Sequence, residues 1–225
     1  MQNNDQRITI ITGHFGSGKT EISINLALQA RKIFEKVAIT DLDVINPYFR
    51  SREVAAQFEN QGIDLIAPKG KLASSDLPIV SGEIYRVLHD PSYQLIIDVG
   101  GDKDGATTLG QYYNDLKDLN YELLFVVNGN RPYVSTVEGI LETIQQIEMV
   151  SRLKITGLIN NTNLGVETSL EDIEKGYQLT KAASEKVSIP FLYTTISAGL
   201  KEEVKDFAEG KEIVYIDRYM KLPWE

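Results

Sequence analysis

The chain has no cysteine among its 225 residues. Without thiolates it can build no disulfide framework, no cysteine-ligated zinc or iron–sulfur site and no thiol nucleophile. Basic residues are also in short supply: 23 Lys and Arg face 32 Asp and Glu, a formal charge of -9. Such a surface repels phosphate backbones and anionic lipids, so neither nucleic acid nor membrane is an expected partner. No apolar run approaches the roughly 20 residues of a membrane span. The polar opening MQNNDQR runs directly into ITIIT, without the basic-then-apolar layout of a signal peptide. Together these absences predict a cytoplasmic protein. Internal repeats, low-complexity tracts and Gly/Ser/Pro-rich linkers are missing too, so a single domain over residues 1–225 is expected.

What is present is alternation. Short runs rich in Ile, Val and Leu recur between longer amphipathic stretches, the pattern of βα units around a parallel sheet buried on both faces. Strands are predicted at 7–12, 36–41, 63–68, 93–99, 121–128, 153–160 and 189–195, with 212–217 as an edge strand. Ile22, Leu26, Ala30 and Ile33 recur at helical spacing, as do Val137, Ile140, Leu141, Ile144 and Ile147, marking crossover helices. The fold class expected is α/β: a mostly parallel sheet flanked by helices on both faces.

Directly after the first strand stands GHFGSGKT, Gly13 to Thr20, which fits G-x-x-x-x-G-K-[ST] and runs into the first amphipathic stretch. Gly13, Gly16 and Gly18 let the backbone curl so that N–H groups point inward, and the helix start adds its unpaired donors and positive dipole end. Phe15 and Ser17 contribute main-chain amides to the same curl. A nucleoside triphosphate is the guest such a cradle suits. Lys19 can reach the β- and γ-phosphates, and the Thr20 hydroxyl can ligate an accompanying Mg²⁺.

Magnesium-assisted phosphoryl transfer also needs carboxylates near the metal, at strand ends beside the loop. Asp98 follows the apolar run LII and precedes a Gly pair, Gly100 and Gly101, that would let the next segment move with the γ-phosphate. Asp41 and Asp43 end the second strand two residues apart, on the same side if the strand geometry continues. They could hold magnesium-bound water and orient the attacking water. Arg50 and Arg52 read first as solvated charges at a helix start, and as a clamp on an anionic substrate in the alternative. The loop-like stretch from Pro68 to Pro78 could cover the site or simply connect two elements.

Nucleotide choice belongs to the loops at the carboxyl ends of other strands. In GLINNTNLG, Asn160 and Asn161 stand at a strand end, where an amide can both donate to and accept from an adenine edge. No [NT]-K-x-D tetrad, the usual guanine reader, occurs. The expectation is therefore ATP rather than GTP.

These residues resemble the MinD/ParA-like branch of P-loop ATPases, a group that includes nitrogenase iron protein and carbon monoxide dehydrogenase maturation ATPases. The resemblance covers most of the chain: GHFGSGKT as the phosphate loop, DLD at 41–43 as the first switch, IIDVGG at 96–101 as the Walker B strand, INN at 159–161 as the adenine-side strand end. It implies a nucleotide-dependent homodimer, with ATP hydrolysis timing a conformational switch on a protein client. By resemblance Asp43 positions the attacking water, Asp41 is an outer-sphere magnesium ligand and Asp98 is the Walker B acid. One departure stands out. The branch carries a signature Lys directly after the first Gly of the loop, and here that position is His14, which lacks a permanent charge. Slow or partner-stimulated turnover is the expected result. Two alternatives remain: a small-molecule kinase or ligase on the same fold, and a nucleotide-binding adaptor with little hydrolysis.

Overall fold

The computed structural model describes residues 6–42, 52–66, 82–101 and 103–220. Eight strands, β1 Ile8–Thr12, β2 Lys36–Asp41, β3 Ile63–Ile66, β4 Tyr93–Asp98, β5 Tyr121–Val127, β6 Gly157–Asn160, β7 Phe191–Ser197 and β8 Ile213–Ile216, form one sheet. Their order is β3-β2-β4-β1-β5-β6-β7-β8, and every neighbouring pair is parallel. The helices are α1 Lys19–Arg31, α2 Arg52–Asn60, α3 Gly82–His89, α4 Lys103–Gln111, α5 Tyr113–Leu116, α6 Val137–Ser151, α7 Leu170–Val187 and α8 Lys205–Ala208. The expected α/β class is the observed one.

Side-chain alternation along the strands sorts the core into two layers. Ile8 and Ile10 of β1, Leu95 and Ile97 of β4, and Leu123, Phe125 and Val127 of β5 face a cluster completed by α3 to α6. The intervening residues, Ile11, Ile96, Leu124 and Val126, face the opposite layer, where α1 supplies Ile22, Ile24, Ala27 and Ala30. Burying both strand faces explains the near-continuous apolar runs. Each fully buried Ile or Leu contributes roughly 1.5–3 kcal/mol from removal of its surface from water.

Two sequence expectations are adjusted. Residues 153–156 do not join β6, because the Thr156 side chain takes a place in the ladder. Its Oγ1 accepts the Leu123 N–H at 2.9 Å, while its own N–H donates to Leu123 O at 2.8 Å. Ile33 leaves the helical stripe: α1 ends at Arg31, the Ile33 and Phe34 amides fold back onto Ala30 O, and Ile33 is exposed. The α6 stripe behaves as its spacing predicts, with Ile140, Ile144 and Ile147 buried and Thr136 capping the helix through the Gly139 N–H.

Beyond β8 the chain returns across α1. Asn25 Nδ2 donates to Asp217 O at 2.8 Å and Asn25 Oδ1 accepts the Asp217 N–H at 3.0 Å. The Glu21 carboxylate accepts the amides of Tyr219 and Met220. Among the described residues no helix is long and apolar enough to cross a membrane.

Candidate functional site

The chain order reverses around β1. The crossover from β1 to β2 runs through α1 on one face, whereas that from β4 to β5 passes over β1 on the other, through α4 and α5. Right-handed crossovers in opposite directions must use opposite faces. The loops that leave the carboxyl ends of β1 and β4 therefore diverge, and the crevice between them is where an open α/β sheet binds ligands. Gly13 to Thr20 occupy that crevice.

The register explains which acids meet the loop. Asp41 of β2 pairs directly with Asp98 of β4, and Asp98 lies beside Ile11 of β1. Strand periodicity puts both carboxylates on the α1 side of the sheet, since Ile39 and Ile96, two residues earlier, pack into the α1 layer. Asp98 is fully buried, and the Thr20 hydroxyl donates to its Oδ2 at 2.6 Å. Asp41 is half-buried at the strand end. The structure thus brings Thr20, Asp98 and Asp41 to one locality. Asp43, Arg50 and the 68–78 segment lie outside the described residues; Arg52 opens α2.

The phosphate loop closes on itself through the Ser17 N–H, which donates to His14 O at 3.0 Å. Ser17 is fully buried, and Lys19 is only 6% exposed as the first residue of α1. Gly18 adopts φ 84°, a left-handed conformation, and a Cβ there would collide with the Asn161 amide. Across the crevice, a Cβ on Gly101 would strike the Gly13 carbonyl, so Gly101 packs its bare backbone on the loop. His14 stacks on Tyr133, ring centroids 4.8 Å apart, while the Phe15 side chain is 65% exposed.

Outside the loop, carbonyl groups are held away from the cradle. Asn161 Nδ2 donates to Ser17 O at 2.7 Å, and its Oδ1 accepts the Thr195 hydroxyl at 2.7 Å. Asn160 Oδ1 accepts the Thr162 hydroxyl at 2.8 Å and the Thr162 N–H at 3.1 Å, and its Nδ2 donates to Thr194 Oγ1 at 3.3 Å. Both amides, expected at an adenine edge, are buried and engaged within the protein. Arg131 Nε donates to Gly16 O at 2.9 Å, and Asn128 Nδ2 reaches the same oxygen at 3.4 Å. Neither Arg131 nor Asn128 stood out in the sequence. The signal for them is positional: NGNRP follows β5, which neighbours β1, at the same carboxyl edge.

One titratable group on the loop's helix is perturbed. Burial raises the Glu21 pKa above the ordinary carboxylate value, opposed by its hydrogen bonds from Tyr219 and Met220.

No family model matches the chain, and no curated protein matches it in sequence. Solved structures do match in shape. The cell division protein FtsY of Thermotoga maritima superposes with a TM-score of 0.60 at 16% identity, over 84% of this chain and 61% of that one. FtsY from Physcomitrella patens chloroplasts gives 0.58 at 17%, over 85% and 59%. The signal recognition particle receptor FtsY of Elizabethkingia anophelis, in complex with GDP, gives 0.58 at 17%, over 88% and 59%. The parallel α/β fold is shared with these FtsY structures. The chain spans about three fifths of the length of these structures, and at such identities the likeness concerns the fold.

Proposed function

We propose that the protein binds a nucleoside triphosphate with Mg²⁺ at Gly13 to Thr20 and uses its slow hydrolysis as a conformational switch on a protein client. The observation that carries this reading is the 2.6 Å bond from Thr20 to the buried Asp98, with Asp41 on the adjoining strand end. A hydroxyl and two carboxylates form an all-oxygen donor set beside a Gly-rich loop, which suits a hard divalent cation brought in with phosphates. In this reading Thr20 and Asp98 would hold the metal, with Asp41 in its outer sphere. Bound magnesium would supply charge neutralisation at the phosphate oxygens.

The chain's own residues do the rest. Lys19 places an ammonium at the start of α1, and the main-chain amides of Gly13, Phe15, Gly16, Ser17 and Gly18 shape the cradle. Gly101, packed on the Gly13 carbonyl, couples loop occupancy to the segment leading into α4. Asp43 orients the attacking water, as the MinD/ParA-like resemblance implies. That resemblance also supports a nucleotide-dependent homodimer, with His14 in place of the signature Lys favouring slow turnover.

ATP is the nucleotide proposed, on the missing guanine-reading tetrad. Asn160 and Asn161 make internal bonds, which weakens the adenine-edge support for ATP, and the GDP complex of the FtsY from Elizabethkingia anophelis makes GTP the second reading. Calorimetry with ATP and GTP in magnesium tests the proposal, with phosphate release measured alongside. Binding of ATP that Lys19→Ala abolishes, together with steady release that Asp43→Ala removes, is expected. Tighter binding of GTP would reverse the nucleotide assignment, and no heat with either nucleotide would overturn the site itself.

A further inference from the structure

The residue after Arg131 is Pro132, which disfavours helical backbone at Arg131. Arg131 is accordingly extended, at φ -99° and ψ 131°, between two tight turns. Its N–H closes one turn on Asn128 O at 2.9 Å, and its carbonyl accepts the Val134 N–H at 3.1 Å in the next. The preceding Asn130 is anchored as well: its N–H donates to Asn128 Oδ1 and its amide to Asp172 at the start of α7. A backbone so restrained sends the guanidinium across to the phosphate loop. There Nε donates to Gly16 O, and the guanidinium lies so close that a Cβ on Gly16 would sit 3.0 Å from Nε and 3.1 Å from Cζ.

We propose that Arg131 is a positioning residue for phosphate binding: it pins the Gly16 carbonyl outward and sets a permanent positive charge against the loop. The proposal rests on the phosphate-binding reading of Gly13 to Thr20. The peptide plane that carries Gly16 O carries the Ser17 N–H on its other side, which closes the loop on His14 O at 3.0 Å, so fixing Gly16 O fixes that turn and the curl around it. Asn161 does the same for the Ser17 carbonyl, and Asn128 shares Gly16 O at a longer distance. Arg131 is the charged member of this clamp. It stands two residues before Tyr133, the ring on which His14 of the same loop stacks.

Calorimetry at fixed salt, with ATP, GTP and inorganic tripolyphosphate as probes, tests the idea on wild type, Arg131→Met and Arg131→Lys. Arg131→Met is expected to lose roughly tenfold to a hundredfold in affinity for all three probes, the effect of deleting a charge-assisted hydrogen bond. Its circular dichroism should match wild type. Arg131→Lys keeps the charge but not the planar fork, and should recover only part of the loss. A folded Arg131→Met protein that binds every probe as wild type does overturns the proposal. So does a loss confined to one nucleotide with tripolyphosphate unaffected. If Arg131→Met does not fold, Arg131→Lys decides: wild-type affinity overturns, a loss of about tenfold supports. Wild-type protein that binds none of the probes removes the phosphate-loop reading itself, and this one with it.

Discussion

The Thr20 hydroxyl donates to Asp98 Oδ2 across 2.6 Å, joining the first turn of α1 to the end of a strand 78 residues later in the chain. Thr20 leads directly out of the loop, and Asp98 is inaccessible to water. A cation arriving with a nucleotide must therefore compete with, or insert beside, a preformed short bond. Magnesium dependence becomes a sensitive probe of this pair.

Asp98→Asn preserves shape and removes charge. The gain in nucleotide affinity on adding magnesium should fall by about tenfold to a hundredfold, the range seen when a group that orients a metal ligand is lost. Affinity without magnesium should change little. Titration of a fluorescent ATP analogue with and without the metal checks both halves.

Asn161→Ala separates a loop brace from a base reader. It deletes the side-chain donor to the buried Ser17 O, at a cost of about 1–3 kcal/mol, and the nearer of two acceptors of the Thr195 hydroxyl, which keeps Asn160 O at 3.2 Å. The expected outcome is a lower urea midpoint and weaker binding of ATP and GTP alike. Selective loss of ATP would instead restore Asn161 to the adenine edge.

Gly101→Ala drives a methyl group into the Gly13 carbonyl, where two backbones meet and neither has a flexible end to yield. Overpacking of this kind costs about 1–3 kcal/mol. Nucleotide affinity should drop together with thermal stability. Gly210→Ala is the control for the alanine itself: a Cβ there meets no atom within 4 Å, though φ 71° still strains the backbone.

Burial raises the pKa of Glu122, on β5, above the ordinary carboxylate value. A raised folded-state value means that folding favours the protonated form. Its favourable contribution is complete below the unfolded pKa and is lost as pH climbs through the folded one. Glu122→Gln cannot ionise, so its stability relative to wild type should rise across the weakly acidic range and level off above it. Urea unfolding at pH 4, 5, 6 and 8 tests the sign; a constant difference would contradict it.

Much of this architecture was legible in the sequence. Each of the eight predicted runs contains a strand, since a sheet covered on both sides demands continuous apolar segments. The tight turn at Gly13 to Gly18 was legible because its glycines answer to local backbone geometry. What escaped notice depends on distant partners. Asn161 reads as a base-side amide in the sequence, and nothing there signals its bond to Ser17, 144 residues earlier. Thr156 looked like part of a strand, yet its hydroxyl entered the ladder against Leu123. Arg131 carried no motif, and its value lies in a bond to Gly16, 115 positions away. Periodicity and turn chemistry report on neighbours in sequence, and these three contacts have none.

The bonds from Asn25 and Glu21 to residues 217–220 bear on how the molecule is made. Residues 13–20 leave the ribosome roughly 200 positions ahead of the segment that ties down their helix. Until that segment emerges, the buried polar groups of α1 lack their partners, so a nascent chain with every strand but the last already synthesised still carries a loosely tethered cradle. Any binding competence of this loop should therefore appear only once residues 217–220 have emerged.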